Sequence, residues 1–221
     1  MLFRSFHAAV FGDAGEDRVA INLGGIANLS FLPRAGMVSG FDCGPGNCLL
    51  DLWAARHIGK SYDAEGKWAA SGRVIPALLE RMLREPYFQA PPPKSTGRDL
   101  FNENWLRGML HGGEEPQAVQ ATLLELTARN LADAIARHCR GTCRLIICGG
   151  GVRNASLIHR LAQLVAPAPV ESSARHGIDP QWVEGAAFAW FAKLALEGRS
   201  ANLPSVTGAR GPRILGALYP S

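Results

Sequence analysis

The stretch RVAINLGGIANLSFLPRAGMVSGF, residues 18–41, decides how this chain is read. Apolar and β-branched residues fill 18–22, 27–32 and 37–41, and Gly24-Gly25 and Pro33-Arg34-Ala35-Gly36 separate them. Runs of that length between turn residues predict three short strands in a meander, so the sheet starts antiparallel. The period then changes. Across 47–57 Leu49, Leu50, Leu52 and Trp53 recur at helical spacing, with Gly46 ahead of them and Gly59 behind. The third strand is therefore expected to feed straight into a helix.

Residues 59–115 show no sustained period. They hold a short helical pattern over 74–84, the stiff Pro91-Pro92-Pro93 and a polar loop over 94–99, the composition of an excursion that carries part of a site. A long amphipathic helix is predicted over 116–140, with Pro116 suited to its first turn. A buried strand over 144–148, a helix over 154–165, a short strand over 169–171 and an apolar helix over 181–197 follow. The order β-β-β-α, excursion, α-β-α-β-α is that of an α/β ribonuclease-H-like lobe, a mixed five-stranded sheet flanked by helices. Neither a repeat nor a linker divides it.

Composition narrows the function classes. The chain has 221 residues, 47 % of them hydrophobic, enough to bury a core. A net charge of +4 suits an anionic ligand, but no run of Lys and Arg forms a nucleic-acid arm. Five cysteines at irregular spacing, without Cys-x-x-Cys pairs, read as reduced thiols of a cytoplasmic protein. No secretory signal pattern follows Met1, and the longest apolar segment, 186–196, is interrupted by Lys193 and falls short of the roughly 20 residues of a membrane span.

Chemistry concentrates at two glycine turns, Leu23-Gly24-Gly25 and Cys148-Gly149-Gly150-Gly151, each following an apolar strand. Without a Cβ, main-chain N–H groups line a phosphate and a purine lies against the backbone, so two such turns suggest a split nucleotide site. A plain hairpin accounts for Gly24 and Gly25 about equally well. Asn154 as an N-cap accounts for the second turn, although three glycines exceed what that turn requires. The histidines have no Ser or carboxylate neighbour at relay spacing.

Five motifs in order carry a resemblance. They are Ile21-Asn22-Leu23-Gly24-Gly25-Ile26-Ala27-Asn28-Leu29, Gly40-Phe41-Asp42-Cys43-Gly44-Pro45-Gly46-Asn47, Lys94-Ser95-Thr96-Gly97-Arg98-Asp99-Leu100-Phe101, Cys148-Gly149-Gly150-Gly151-Val152-Arg153-Asn154, and Asn202-Leu203-Pro204-Ser205-Val206-Thr207-Gly208-Ala209 with the run 215–220. With them the chain resembles the 1,6-anhydro-N-acetylmuramic acid kinases, of the sugar kinase, heat-shock chaperone and actin superfamily. The resemblance implies ATP with magnesium as cofactors and an anhydro amino sugar as substrate. The implied reaction opens the anhydro bridge with water and phosphorylates O6, giving N-acetylmuramic acid 6-phosphate for cell-wall recycling. It further implies a homodimer, and neither a nucleic-acid nor a membrane partner.

Residue by residue, the resemblance places phosphate at Gly24 and Gly25 and adenosine at Gly149, Gly150, Gly151 and Asn154. The sugar side is implied for Asp42, Gly44, Gly46, Asn47, Asp63, Lys94, Ser95, Thr96, Arg98 and Glu184. Asp42, expected to end the third strand, is also the candidate magnesium ligand, because Asn22 stands where the superfamily commonly has an acid. A turn cap explains Asp42, and a first-turn helix acid explains Glu184, without any ligand. Residues 1–221 read as a single carboxy-terminal lobe with 59–115 as a substrate-side insertion. The amino-terminal lobe and the general base are expected upstream, so this chain alone is expected to be inactive. Two other readings stand beside this one: a non-catalytic binding module, and a different sugar or acetate-type kinase of the same superfamily.

Overall fold

β1 (Arg18–Leu23) pairs antiparallel with β2 (Ile26–Leu32), and β2 antiparallel with β3 (Ser39–Pro45). On its other side β1 pairs in parallel with β4 (Arg144–Cys148), and β4 in parallel with β5 (Val170–Ser172). The sheet order is β3-β2-β1-β4-β5, the mixed five-stranded sheet expected from the order of elements. The computed structural model describes residues 3–217. Half of the 215–220 run, residues 218–220, lies outside the described residues, as do Met1 and Leu2.

Period-two alternation splits the core between the two faces of the sheet. Val19, Ile21 and Leu23 of β1 and Leu145 and Ile147 of β4 are buried on one face, against α2 (Cys48–Ile58), α7 (Pro116–His138) and α8 (Ala155–Leu164). Ala20, Ile146 and Cys148 point the other way, where α1 (Phe3–Phe11) supplies Phe6 and Phe11 and α9 (Val183–Leu196) supplies Val183, Ala187, Phe191 and Leu194. All five cysteines are free thiols, and only Cys143 is exposed.

The third strand runs about two residues later at its start and four later at its end than the apolar pattern places it. Two features extend it. The β2–β3 register shifts at Ala27/Asn28, and Gly44 adopts φ +152, leaving the room in which Phe88 and the Asn130 amide pack. Asp42 consequently sits inside β3 and not at its end.

The excursion is far more helical than its lack of period suggests. A 3-10 turn (Ala64–Gly66) leads into α3 (Lys67–Ser71), α4 (Pro76–Leu83), α5 (Pro86–Gln89) and α6 (Glu103–Met109). Helices this short are not stable on their own; tertiary contacts hold them. Glu85 accepts from the N–H of Tyr87 in α5 and, at 2.8 Å, from the indole of Trp105 in α6. Phe88 stacks on Phe101 with ring centroids 5.5 Å apart. Trp53 of α2 donates to the Pro116 carbonyl at 2.7 Å.

Helix α7 carries a buried polar row that its apolar pattern does not advertise. Gln120, Thr127 and Asn130 donate to the carbonyls of Leu50, Gly46 and Cys43 at 3.3, 3.2 and 3.0 Å. The Gly46 and Cys43 carbonyls lie where β3 turns into α2, so Thr127 and Asn130 give buried backbone acceptors there a partner.

His7 of α1 is buried on the opposite face, its Nδ1 3.0 Å from Ser30 Oγ and its Nε2 3.9 Å from Cys148 Sγ. Burial first, and the Arg4 charge second, lower its pKa from 6.5 to about 4. The unfolded chain binds this proton below pH 6.5 and the folded chain resists it until about pH 4. Stability should therefore fall as pH drops through that window, by roughly 3 kcal/mol in all. Urea unfolding across pH 4–7 is expected to show the slope, and His7→Gln is expected to flatten it.

Candidate functional site

Parallel pairing of β1 and β4 sets Asn22 opposite Cys148, so the two glycine turns leave the same edge of the sheet as neighbours. Their contact requires glycine. At Gly149, φ +84, an added Cβ would collide with Asn22 Oδ1, and at Gly151 it would lie 2.6 Å from Leu23 Cβ. Asn47, at the start of α2, donates through Nδ2 to the Leu23 carbonyl at 2.9 Å and reaches toward Gly151. The carbonyls of Gly24 and Gly25 accept from Asn47, Gly46 and Cys48. Among the described residues the N–H groups of Gly24, Gly25, Gly150 and Gly151 meet no protein acceptor. Unpaired donors in two touching turns at the strand ends suit an anion.

A cavity of about 230 Å³ opens beside the second of these turns. Asn47, Leu50 and Asp51 of α2, Tyr62, Asp63 and Glu65 of the excursion, Gly150, Gly151, Arg153 and Asn154 of the second turn, and Gln181 line it. Asn154 caps α8 by accepting from the Leu157 N–H at 3.0 Å. It also lies where a Cβ on Gly66 would be. Ser156 donates to the Glu65 carbonyl at 3.1 Å. The excursion is thereby clasped to the second turn. Asp63 lines the cavity, but both of its oxygens accept backbone N–H groups, from Trp68 at 2.9 Å and Ala69 at 2.8 Å.

Asp42 stands apart from that cavity. Its Oδ1 accepts from Arg4 at 2.8 Å, and its Oδ2 from Ser95 Oγ at 2.7 Å and the Thr96 N–H at 3.2 Å. A carboxylate paired with a buried guanidinium and two further donors is poorly placed to hold a metal ion. Arg98 leads the same loop back to the first turn, where its guanidinium packs against Gly25. It borders a second cavity, of about 450 Å³, together with Asp51.

Other sugar-side candidates have structural partners. The Lys94 ammonium donates to the Tyr87 and Phe88 carbonyls at 2.9 and 3.3 Å and sits over the Phe41 and Tyr87 rings. Burial lowers its pKa. Gly44 and Gly46 permit close packing against Phe88 and against the Gly24 carbonyl. Glu184 is exposed in the first turn of α9 and borders neither cavity. Asp51, Arg153, Tyr62 and Gln181 enter the site without having been expected. Asp51 was legible in principle: it lies four residues from Asn47, on the same side of α2. Arg153 stood inside the quoted Gly-Gly-Gly-Val-Arg-Asn motif.

The family model for anhydro-N-acetylmuramic acid kinase matches residues 1–221. The enzyme of that name from Xanthomonas campestris pv. campestris is 55 % identical over 221 residues, all of this chain and 59 % of the relative. That from Nitrosospira multiformis is 50 % identical over 220 residues, covering 60 % of the relative. The chain thus spans about three fifths of the length of these curated relatives. Among solved structures, xylulose kinase from Rhodospirillum rubrum superposes with a TM-score of 0.50 at 18 % identity, over 87 % of this chain and 40 % of that one. At that identity the likeness bears on the fold alone, which is the sugar kinase and actin-like lobe.

The Arg4–Asp42 pair gives a direct test of the site's scaffold. Arg4 is 2 % exposed, so Arg4→Met leaves a carboxylate without its counter-charge. A loss of about 3–5 kcal/mol is expected in chemical denaturation. The double variant with Asp42→Asn should recover part of it.

Proposed function

Because the chain belongs to the anhydro-N-acetylmuramic acid kinase family, we propose that it forms the nucleotide-facing lobe of an ATP-dependent sugar kinase. In this reading the whole protein opens the anhydro bridge of 1,6-anhydro-N-acetylmuramic acid with water and places a phosphoryl group on O6. The product is N-acetylmuramic acid 6-phosphate, for reuse of the cell wall. The observation that carries the reading is the side-by-side placement of two glycine turns whose N–H groups have no protein acceptor.

Phosphoryl transfer depends on positioning and on neutralising charge more than on covalent chemistry from the protein. The N–H groups of Gly24 and Gly25 hold the β- and γ-phosphates, with the Arg98 guanidinium beside them. The backbone of Gly149, Gly150 and Gly151 lies against base and ribose, while Asn154 fixes the helix behind. Asp42, held by Arg4, faces the sugar with Ser95 and Thr96; Lys94 and Asp63 shape the walls. Magnesium, when bound, screens the phosphate oxygens and eases charge build-up on the leaving group. Free thiols support a reducing, cytoplasmic setting. The exposed Trp182 and Phe188 at the start of α9 support pairing of two copies. Among the described residues no helix is long and apolar enough to cross a membrane.

Gly150 offers the cleanest test. A Cβ there meets nothing within 4 Å, yet the residue lines the cavity. Gly150→Ala should leave the melting temperature unchanged and weaken ATP, measured by calorimetric titration, by roughly tenfold, about 1.4 kcal/mol. Gly151→Ala should lower the melting temperature as well. Unaltered ATP affinity in Gly150→Ala would count against this assignment of the turn.

A further inference from the structure

A nucleotide that brings a divalent cation needs an acid near its phosphates, and the chain offers few. Asn22 is neutral. Asp42 is committed to Arg4, Ser95 and Thr96, and Asp63 to the backbone of α3. Glu65 is paired with Lys67 at 3.0 Å on the surface.

Asp51 differs from all of these. One helical turn beyond Asn47, it borders both cavities: the one lined by Gly150 and Gly151, and the one bordered by Arg98. Among the described residues its carboxylate accepts no hydrogen bond and joins no ion pair. Arg98 acts on it electrostatically without reaching ion-pair distance. Burial raises the Asp51 pKa to about 6, with Arg98 opposing. A half-buried carboxylate without a donor is incompletely solvated, and a hydrated cation supplies what is lacking. Magnesium suits such a site, because it keeps several waters and commonly takes one or two carboxylates together with substrate phosphates.

We infer that Asp51 is the carboxylate that orders the hydrated divalent cation entering with the nucleotide, while Arg98 faces the phosphates across the second cavity. The inference rests on the nucleotide-binding reading above. It also explains why an uncharged Asn is tolerated at position 22: the charge is supplied from α2, on the other side of the first glycine turn. The competing account, a helix-dipole role for an acid early in α2, would alter stability and leave metal dependence untouched.

The test is a calorimetric titration of the 221-residue chain with a non-hydrolysable ATP analogue, in magnesium and in EDTA. Electron paramagnetic resonance of bound manganese serves as a second readout. Asp51→Asn should keep its metal-free affinity within about twofold and lose the tenfold or larger gain that magnesium confers on the wild type. The signal of protein-bound manganese should disappear with that gain, and Asp51→Glu should restore part of both. An Asp51→Asn chain with wild-type metal dependence overturns the inference while leaving the nucleotide reading intact. A wild-type chain that takes the analogue in neither buffer overturns the nucleotide reading, and this inference with it.

Discussion

The parallel ladder between β1 and β4 is the constraint on which the rest of the molecule depends. Its register brings Asn22 level with Cys148, and two chain reversals separated by more than a hundred residues become a single surface. An antiparallel pairing would send the second turn to the opposite edge. A one-residue slip would exchange the faces of Leu145, Ile146 and Ile147, misfit both halves of the core, and take Asn22 out of line with Cys148. The same residues that bury the core therefore also align the two glycine turns, so their geometry is maintained by hydrophobic packing.

Elements with a strong period were legible from the residues alone. The ends of β1 and β4 and the span of α7 follow from alternation, Pro116 and the turn residues. β3 was misplaced because its last residues, Asp42, Cys43, Gly44 and Pro45, have no strand propensity of their own. They are extended because Phe88 and Asn130 fill the space above Gly44. The excursion was read as irregular because its helices are one or two turns long and rest on indole, carboxylate and ring contacts between distant segments. No local pattern encodes those contacts.

The site divides along the same line. A run of glycines has few explanations, and at Gly149 and Gly151 close approach to the first turn is the one that holds, so the turns could be read directly. Charged residues have many explanations. Asp42 and Lys94 take their roles from Arg4 and from the Tyr87 and Phe88 carbonyls, and Asp63 from the start of α3. Each partner is set by the tertiary fold. Asp51 went unnoticed for the opposite reason: an acid near the start of a helix already has an ordinary explanation in the helix dipole.

The clasp between Glu65-Gly66 and Asn154-Ser156 joins the excursion to the second turn through one carbonyl and one missing methyl. Because the Asn154 amide already occupies the position a side chain at 66 would take, the two sites cannot drift independently in evolution. Any lineage that gains bulk at position 66 has to replace the α8 cap in compensation, and in doing so it alters the pocket that Asn154 lines. Change in the excursion is in this way tied to change at the second glycine turn.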